Sequence, residues 1–173
     1  MLFSTNQFVH QMIEAQVQPG DWVADATGLN GINTNFLASR VGPTGQVLAY
    51  LSDRDQANQA VSGLFMSGLN DRVTIYQHDV SQLGQTDLDP NQALSLIIFD
   101  YSSDTGGQAL YTDDSYSKIL ATLPYLNHGG LLIVKFDTVP DSWQSSFDRL
   151  RPLDYRRAFY RSGEVSAFLV ERI

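Results

Sequence analysis

Residues 155–172 read YRRAFYRSGEVSAFLVER. Two strand-like runs, 155–160 and 165–172, are parted only by Arg161-Ser162-Gly163-Glu164. A parallel crossover needs a dozen or more residues, so a connection of four forces an antiparallel hairpin. Upstream of that hairpin the chain alternates strand-like and helix-like segments, the signature of a parallel α/β sheet. Strands are expected at 21–27 (DWVADAT), 46–51 (QVLAYL), 73–77 (VTIYQ), 94–101 (LSLIIFDY) and 131–136 (LLIVKF), the last opened by Gly129-Gly130. The run at 94–101 is almost wholly apolar, as a central strand covered on both faces requires. Helices are expected at 3–16, 34–40, 55–68, 113–125 and 141–149. The sum is five parallel strands plus a C-terminal antiparallel hairpin, a mostly parallel seven-stranded α/β sheet, read as a single domain over 1–173.

Composition narrows the function. The chain has 173 residues, 43% hydrophobic and 17% charged, with no cysteine. Disulfides, thiolate metal sites and a cysteine nucleophile are therefore excluded. His10, His78 and His128 have no metal-ligand spacing, and no metal is expected. No apolar run approaches the ~18 residues of a membrane span. The opening MLFSTNQFVHQMIEAQ lacks the basic and apolar regions of a secretory leader, so a cytoplasmic location is expected. The formal net charge of −8 opposes general nucleic-acid binding. The charge is uneven, however: residues 149–161 hold Arg149, Arg151, Arg156, Arg157 and Arg161 against one acid, Asp154. That cluster reads either as a solvated face or as a contact for an anionic substrate.

Ligands of open α/β sheets lie beyond the carboxyl ends of the strands. Here that place begins with the loop Asp25-Ala26-Thr27-Gly28-Leu29-Asn30-Gly31, whose glycines permit close backbone approach. Asp25 ends the first strand and points toward this loop. A ribose-binding acid is expected at the end of the second strand. Leu51 stands there, with Asp53 and Asp55 just beyond as either ligand groups or helix caps. His78 and Asp79 follow the third strand, where an adenine is read. Asp100 and Tyr101 end the fourth strand and are the candidate catalytic pair. Tyr111, Tyr116 and Tyr125 are aromatic groups able either to stack a base or to pack the core. A nicotinamide-dependent oxidoreductase is disfavoured because G-x-G-x-x-G is missing and the hairpin ending differs.

The stretch from Phe8 to Tyr50 resembles the start of a bacterial rRNA-methylase-type family among the class I S-adenosylmethionine (AdoMet)-dependent methyltransferases. Its characterised members methylate the aminomethyl group of 5-aminomethyl-2-thiouridine at the tRNA wobble position. Pro19, Gly20, Asp21, Asp25, Ala26, Thr27, Asn30, Gly31, Thr34, Phe36, Leu37 and Ala38 match the family's pattern, as do Gly129-Gly130 and the closing FLVER. The resemblance implies a Rossmann-like class I methyltransferase sandwich. It implies AdoMet as cofactor, held by Asp25, Ala26, Thr27, Gly28, Asn30, Gly31, Asp53, His78 and Asp79. It implies catalysis near Asp100 and Tyr101, and RNA, in particular tRNA, as substrate; a homodimer is compatible with it.

The departures are concentrated on the ligand face. Leu29 replaces the central loop glycine, Ile32 and Asn33 replace a histidine and an aspartate, and Leu51 replaces the strand-2 acid. Residues 100–107, DYSSDTGG, keep only Gly106-Gly107 of N-L-G-Y-L-P-G-G, and Asp137-Thr138-Val139-Pro140 replaces a segment containing glycine and histidine. A lost charge-assisted hydrogen bond is worth about 1.5–3 kcal/mol. The sequence thus leaves two readings open: an RNA methyltransferase, or a degenerate relative that keeps the fold and serves in binding or interaction.

Overall fold

A computed structural model describes residues 1–173. One seven-stranded sheet organises it: β1 (Trp22–Asp25), β2 (Gln46–Tyr50), β3 (Val73–Tyr76), β4 (Leu94–Tyr101), β5 (Leu126–Phe136), β6 (Tyr155–Arg161) and β7 (Ser166–Arg172). Their spatial order is β3-β2-β1-β4-β5-β7-β6. The first five are mutually parallel, while β7 runs antiparallel to both β5 and β6. The expected hairpin is present, with β7 inserted between β5 and its own partner. The helices are α1 (Thr5–Gln16), α2 (Ile32–Val41), α3 (Arg54–Met66), α4 (Ser115–Ala121) and α5 (Asp141–Asp148). No helix is long and apolar enough to cross a membrane.

The sheet has a core on each face because alternate side chains point to opposite sides. On one face Val23, Val47, Leu96, Ile98, Ile133 and Leu169 meet α1 and α2 through Val9, Ile13, Leu37 and Val41. On the other, Leu48, Ile97, Phe99, Val134, Phe136 and Phe168 meet α4 and α5 through Ile119, Trp143 and Phe147. Every residue of β4 is buried, which is why its sequence does not alternate. A register irregularity between Leu94 and Leu96 lets both side chains go inward, on opposite faces.

Two boundaries differ from the sequence reading by more than two residues. The helix expected over 113–125 stops at Ala121 and continues as a single 3-10 turn at Leu123–Tyr125; Pro124 cannot supply the N–H that a longer helix needs. Strand β5 begins at Leu126 and passes through Gly129-Gly130 instead of opening after them. Two stretches outside the expected elements form short helices: 80–87 is a 3-10 turn followed by a π-helical one, and 103–110 is a pair of 3-10 turns after the end of β4. Gly107 is required there: a Cβ would lie 1.9 Å from the carbonyl oxygen of Asp100.

Candidate functional site

The loop after β1 is pinned across its neighbours' ends. The N–H of Ala26 donates to the Ile98 carbonyl at 2.9 Å, and that of Gly28 donates to the Tyr50 carbonyl at 3.1 Å. Asp25 fastens the loop from beneath. It is fully buried, accepting from the Thr34 hydroxyl at 2.7 Å and from the Thr27 N–H at 3.2 Å. Burial pushes its carboxyl up from the ordinary 3.8 to about 6, against the pull of those two hydrogen bonds and with a further push from Asp100. Asp25 therefore ties the loop to the first turn of α2 and does not face solvent.

Asp100 is buried in the same way. Its carboxylate accepts from Asn33 Nδ2 at 2.9 Å, Lys135 Nζ at 3.0 Å, and the Ser102 N–H at 3.0 Å and hydroxyl. Its N–H donates to the Thr27 hydroxyl at 2.7 Å. Burial pushes this carboxyl up, but the Lys135 ammonium and the hydrogen bonds outweigh it and hold it below the usual range. Lys135 is itself buried, next to Asp100 in register on β5. Asp100 thus presents no open face to a reactant, whereas its neighbour Tyr101 lines a cleft.

That cleft lies above the ends of β1–β4. It is lined by Ala26, Thr27 and Leu29 from the loop after β1, Tyr50, Leu51 and Ser52 at the end of β2, His78, Asp79 and Val80 after β3, Phe99 and Tyr101 on β4, and Leu110, Thr112, Ser115 and Lys118. Its volume is about 170 Å³. At about 30 Å³ per water, this is room for roughly six waters. Leu51 does not fill it. Its side chain is buried against Ala49 and Ala57, and a Cβ on Gly28 would stand 2.8 Å from Leu51 Cδ1. The glycine at position 28 is what lets the loop cross above that leucine. Leu29 separates the cleft from a smaller cavity of about 130 Å³ lined by Asn30, Gly31, Thr34 and residues of α3.

The remaining groups divide by surroundings. Asp79 lines the cleft, accepting from the Ser81 N–H at 2.8 Å and from Lys118 Nζ at 3.2 Å. Burial raises its carboxyl, but those donors outweigh it and hold it below the ordinary range. His78 Nε2 lies 2.8 Å from Asp87 Oδ2, which also accepts from the Tyr50 hydroxyl at 2.9 Å. Tyr50, Tyr76 and His78 form one aromatic cluster, with rings 4.9–6.1 Å apart. Asp53 is turned elsewhere: it caps α3 by accepting from the Gln56 N–H at 2.9 Å and does not line the cleft. Of the expected residues, Ala26, Thr27, His78, Asp79 and Tyr101 meet in one space. Asp25, Gly28 and Asp100 support it from below, and Asn30 and Gly31 lie behind Leu29.

No protein-family model matches the chain. Among solved structures, it is similar to an rRNA-methylase candidate from Clostridium thermocellum, with a TM-score of 0.87 and 20% identity over all of both chains. It is similar to an rRNA methylase from Streptococcus thermophilus, with a TM-score of 0.81 and 16% identity over 100% of this chain and 99% of that one. A methyltransferase candidate from Streptococcus mutans, solved in complex with S-adenosylhomocysteine, superposes with a TM-score of 0.83 and 14% identity over all of both chains. The fold is a class I methyltransferase fold. At these identities the likeness establishes the architecture, and function has to be argued from the cleft.

The sequence reading missed Tyr50, Lys118, Asp87 and Lys135. Lys135 carried a legible signal, because a single charge inside the apolar run LLIVKF must find a buried partner. Asp87 carried none: it comes from a turn that no periodicity announces.

Proposed function

We propose that this chain binds AdoMet in the cleft above β1–β4 and transfers its methyl group to RNA. The observation that carries the reading is an open space of about 170 Å³ at the sheet's carboxyl edge, walled by apolar and aromatic side chains with a few convergent polar groups. Val80, Leu51 and the Tyr50–His78 cluster supply flat apolar contacts for a purine, and Asp79 an acceptor for its exocyclic amine. The backbone at Ala26 and Thr27 lies against the remainder of the ligand. Asp25 and Asp100 act as positioning residues that hold this loop in shape. When bound, AdoMet supplies an electrophilic methyl group on sulfur; the chain's part is to align the acceptor and exclude water. Tyr101, at the end of β4, is the side chain placed to contact the reacting groups.

RNA as the acceptor class is supported by the likeness to the Streptococcus thermophilus rRNA methylase and by the register of β6. Arg161 pairs with Ser166, which pairs with Phe136, which pairs with Tyr101, so this arginine stands on the carboxyl edge. Arg156 lies five positions back along β6, on the order of 16 Å from that edge. The finer reading, a tRNA wobble uridine bearing an aminomethyl group, rests on the resemblance within the first fifty residues.

A second reading is favoured by one observation. With Leu51 at the end of β2 and Asp53 used as a helix cap, no carboxylate reaches the ribose position. That suits a relative that keeps the fold and has given up tight cofactor binding. Calorimetric titration with AdoMet and S-adenosylhomocysteine separates the two. The enzyme reading expects a dissociation constant below ~100 µM, about −5.5 kcal/mol. Absence of heat at millimolar ligand selects the non-catalytic relative.

A further inference from the structure

The amino edge of the sheet holds a cavity of about 490 Å³, against about 170 Å³ for the cleft at the carboxyl edge. It lies where residues 90–93 lead into β4 and the Leu123–Tyr125 turn leads into β5, with Arg172 of β7 beside them. Leu94 pairs with Leu126 at this edge, and Tyr101 with Phe136 at the other. Seven residues of extended strand separate the two edges by on the order of 23 Å. The cavity is therefore distinct from the cleft above β1–β4.

Its polar side is built on Arg172, which is half-buried. Nη1 donates to the Pro124 carbonyl at 2.9 Å and to the Leu126 carbonyl. Nε and Nη2 have no partner in the protein and stay within reach of water. No carboxylate comes within 4 Å of this guanidinium. A guanidinium carries five coplanar N–H donors. Here the bonds from Nη1 fix the plane, and the Nε–Nη2 edge is left to offer two parallel N–H groups, the geometry that matches two oxygens of one oxyanion. Asn127 and His128 line the same cavity, and their side chains make no hydrogen bond within the protein.

Charge and shape agree with that edge. None of the chain's 19 acidic residues lines the cavity, although the net charge is −8. An anion repelled by most of the surface meets no carboxylate there. Pro90, Pro124 and Tyr125 supply rigid apolar wall. Tyr125 is held in place by close packing: a Cβ on Gly84 would lie 1.8 Å from its hydroxyl oxygen. We infer that this cavity binds a small organic oxyanion, a phosphate or carboxylate carried on a flat apolar body. The Nε–Nη2 edge of Arg172 grips two of its oxygens, Asn127 and His128 add donors, and the body lies on Tyr125 and the two prolines. The site is independent of the methyl-transfer reading.

The test uses small probes and the whole chain. Phenyl phosphate, benzoate and the uncharged phenol are titrated in, with binding followed by NMR of the Arg172 Nε–H signal. At least one of the two anions is expected to bind saturably and at least about tenfold more tightly than phenol, as a charge-assisted bidentate contact provides. The tighter of the two identifies the oxyanion. Inorganic phosphate and acetate, which lack the flat body, are expected to bind more weakly than their aromatic counterparts. Arg172→Met is expected to abolish the preference over phenol. Because Arg172 also braces the Leu123–Tyr125 turn, His128→Ala is the second variant. It is expected to weaken the anion about threefold, the worth of one ordinary hydrogen bond, with urea unfolding unchanged. Phenol binding as tightly as both anions overturns the proposal. So do shifts that chloride reproduces at equal ionic strength, and anion binding unchanged in both variants.

Discussion

The carboxyl ends of β1 and β4 and those of β2 and β3 treat their acidic residues in opposite ways. At β1 and β4, Asp25 and Asp100 are wholly buried and tied to Thr34, Thr27, Asn33, Ser102 and Lys135. After β2 and β3, Asp53 and Asp79 sit at helical turn starts, capping backbone N–H groups at the surface. All four lie in the positions where a strand-end acid is read as a ligand group. Only Asp79 lines the cleft. A strand-end carboxylate can shape a ligand loop from below or meet the ligand from above, and burial decides which.

The largest effect expected from this contrast is at Asp100. Asp100→Ala leaves the Lys135 ammonium buried without its partner, which should cost about 3–5 kcal/mol in urea unfolding. Because the folded carboxyl is held below its ordinary value, its contribution is complete above the ordinary carboxyl range and fades as pH falls through the folded value. An Asp100→Ala loss under 1 kcal/mol would mean that the Lys135 ammonium finds other acceptors or water.

Asp25 titrates the other way. Its folded carboxyl sits at about 6 against an ordinary 3.8, so the folded state binds the proton more tightly. Stability from this group is present at low pH and is lost as pH rises through that window. Relative to Asp25→Asn, the wild type should fall by roughly 3 kcal/mol between about pH 3 and pH 7. Parallel pH profiles of the two proteins would show that Asp25 is solvated.

Ligand binding gives a smaller effect of opposite sign. Leu51→Asp supplies the carboxylate that β2 lacks, and should tighten S-adenosylhomocysteine binding about ten- to hundredfold by calorimetry, as the 1.5–3 kcal/mol of a charged hydrogen bond provides. It should lower stability as well, since Leu51 packs on Ala49 and Ala57. The smallest stability change is expected at Asp79, whose pair with Lys118 is exposed on both sides. Asp79→Ala should shift stability by at most about 1 kcal/mol, yet weaken nucleoside binding measurably. A stability loss like that of Asp100→Ala would erase the distinction between the two edges.

Much of this was legible in the sequence, and the reason is physical. The buried run at 94–101 and the four-residue link at 161–164 leave few arrangements, so the strands and the terminal hairpin follow from apolarity and chain length. The ligand edge was legible only as a set of positions. Asp53 and Asp79 have the same local signature, an acid before a helical turn. What separates them is the direction of a neighbouring segment, which short-range pattern does not encode. Leu51 illustrates the point further: read alone it removes a ribose acceptor, whereas in the fold it lies under Gly28 and leaves the cleft open. In the resembled pattern the loop glycine stands one position later, at Leu29. The glycine here stands where the backbone must clear that leucine.

The central claim is that a nucleoside rests over Leu51, between Leu29 and His78. The most direct test is NMR of methyl-labelled leucines during titration with S-adenosylhomocysteine. Ring currents from a bound purine should move the Leu29 and Leu51 methyl signals saturably, leaving those of Leu94 and Leu126, at the opposite end of the sheet, in place. Saturable shifts confined to other leucines, or none at millimolar ligand, would contradict it.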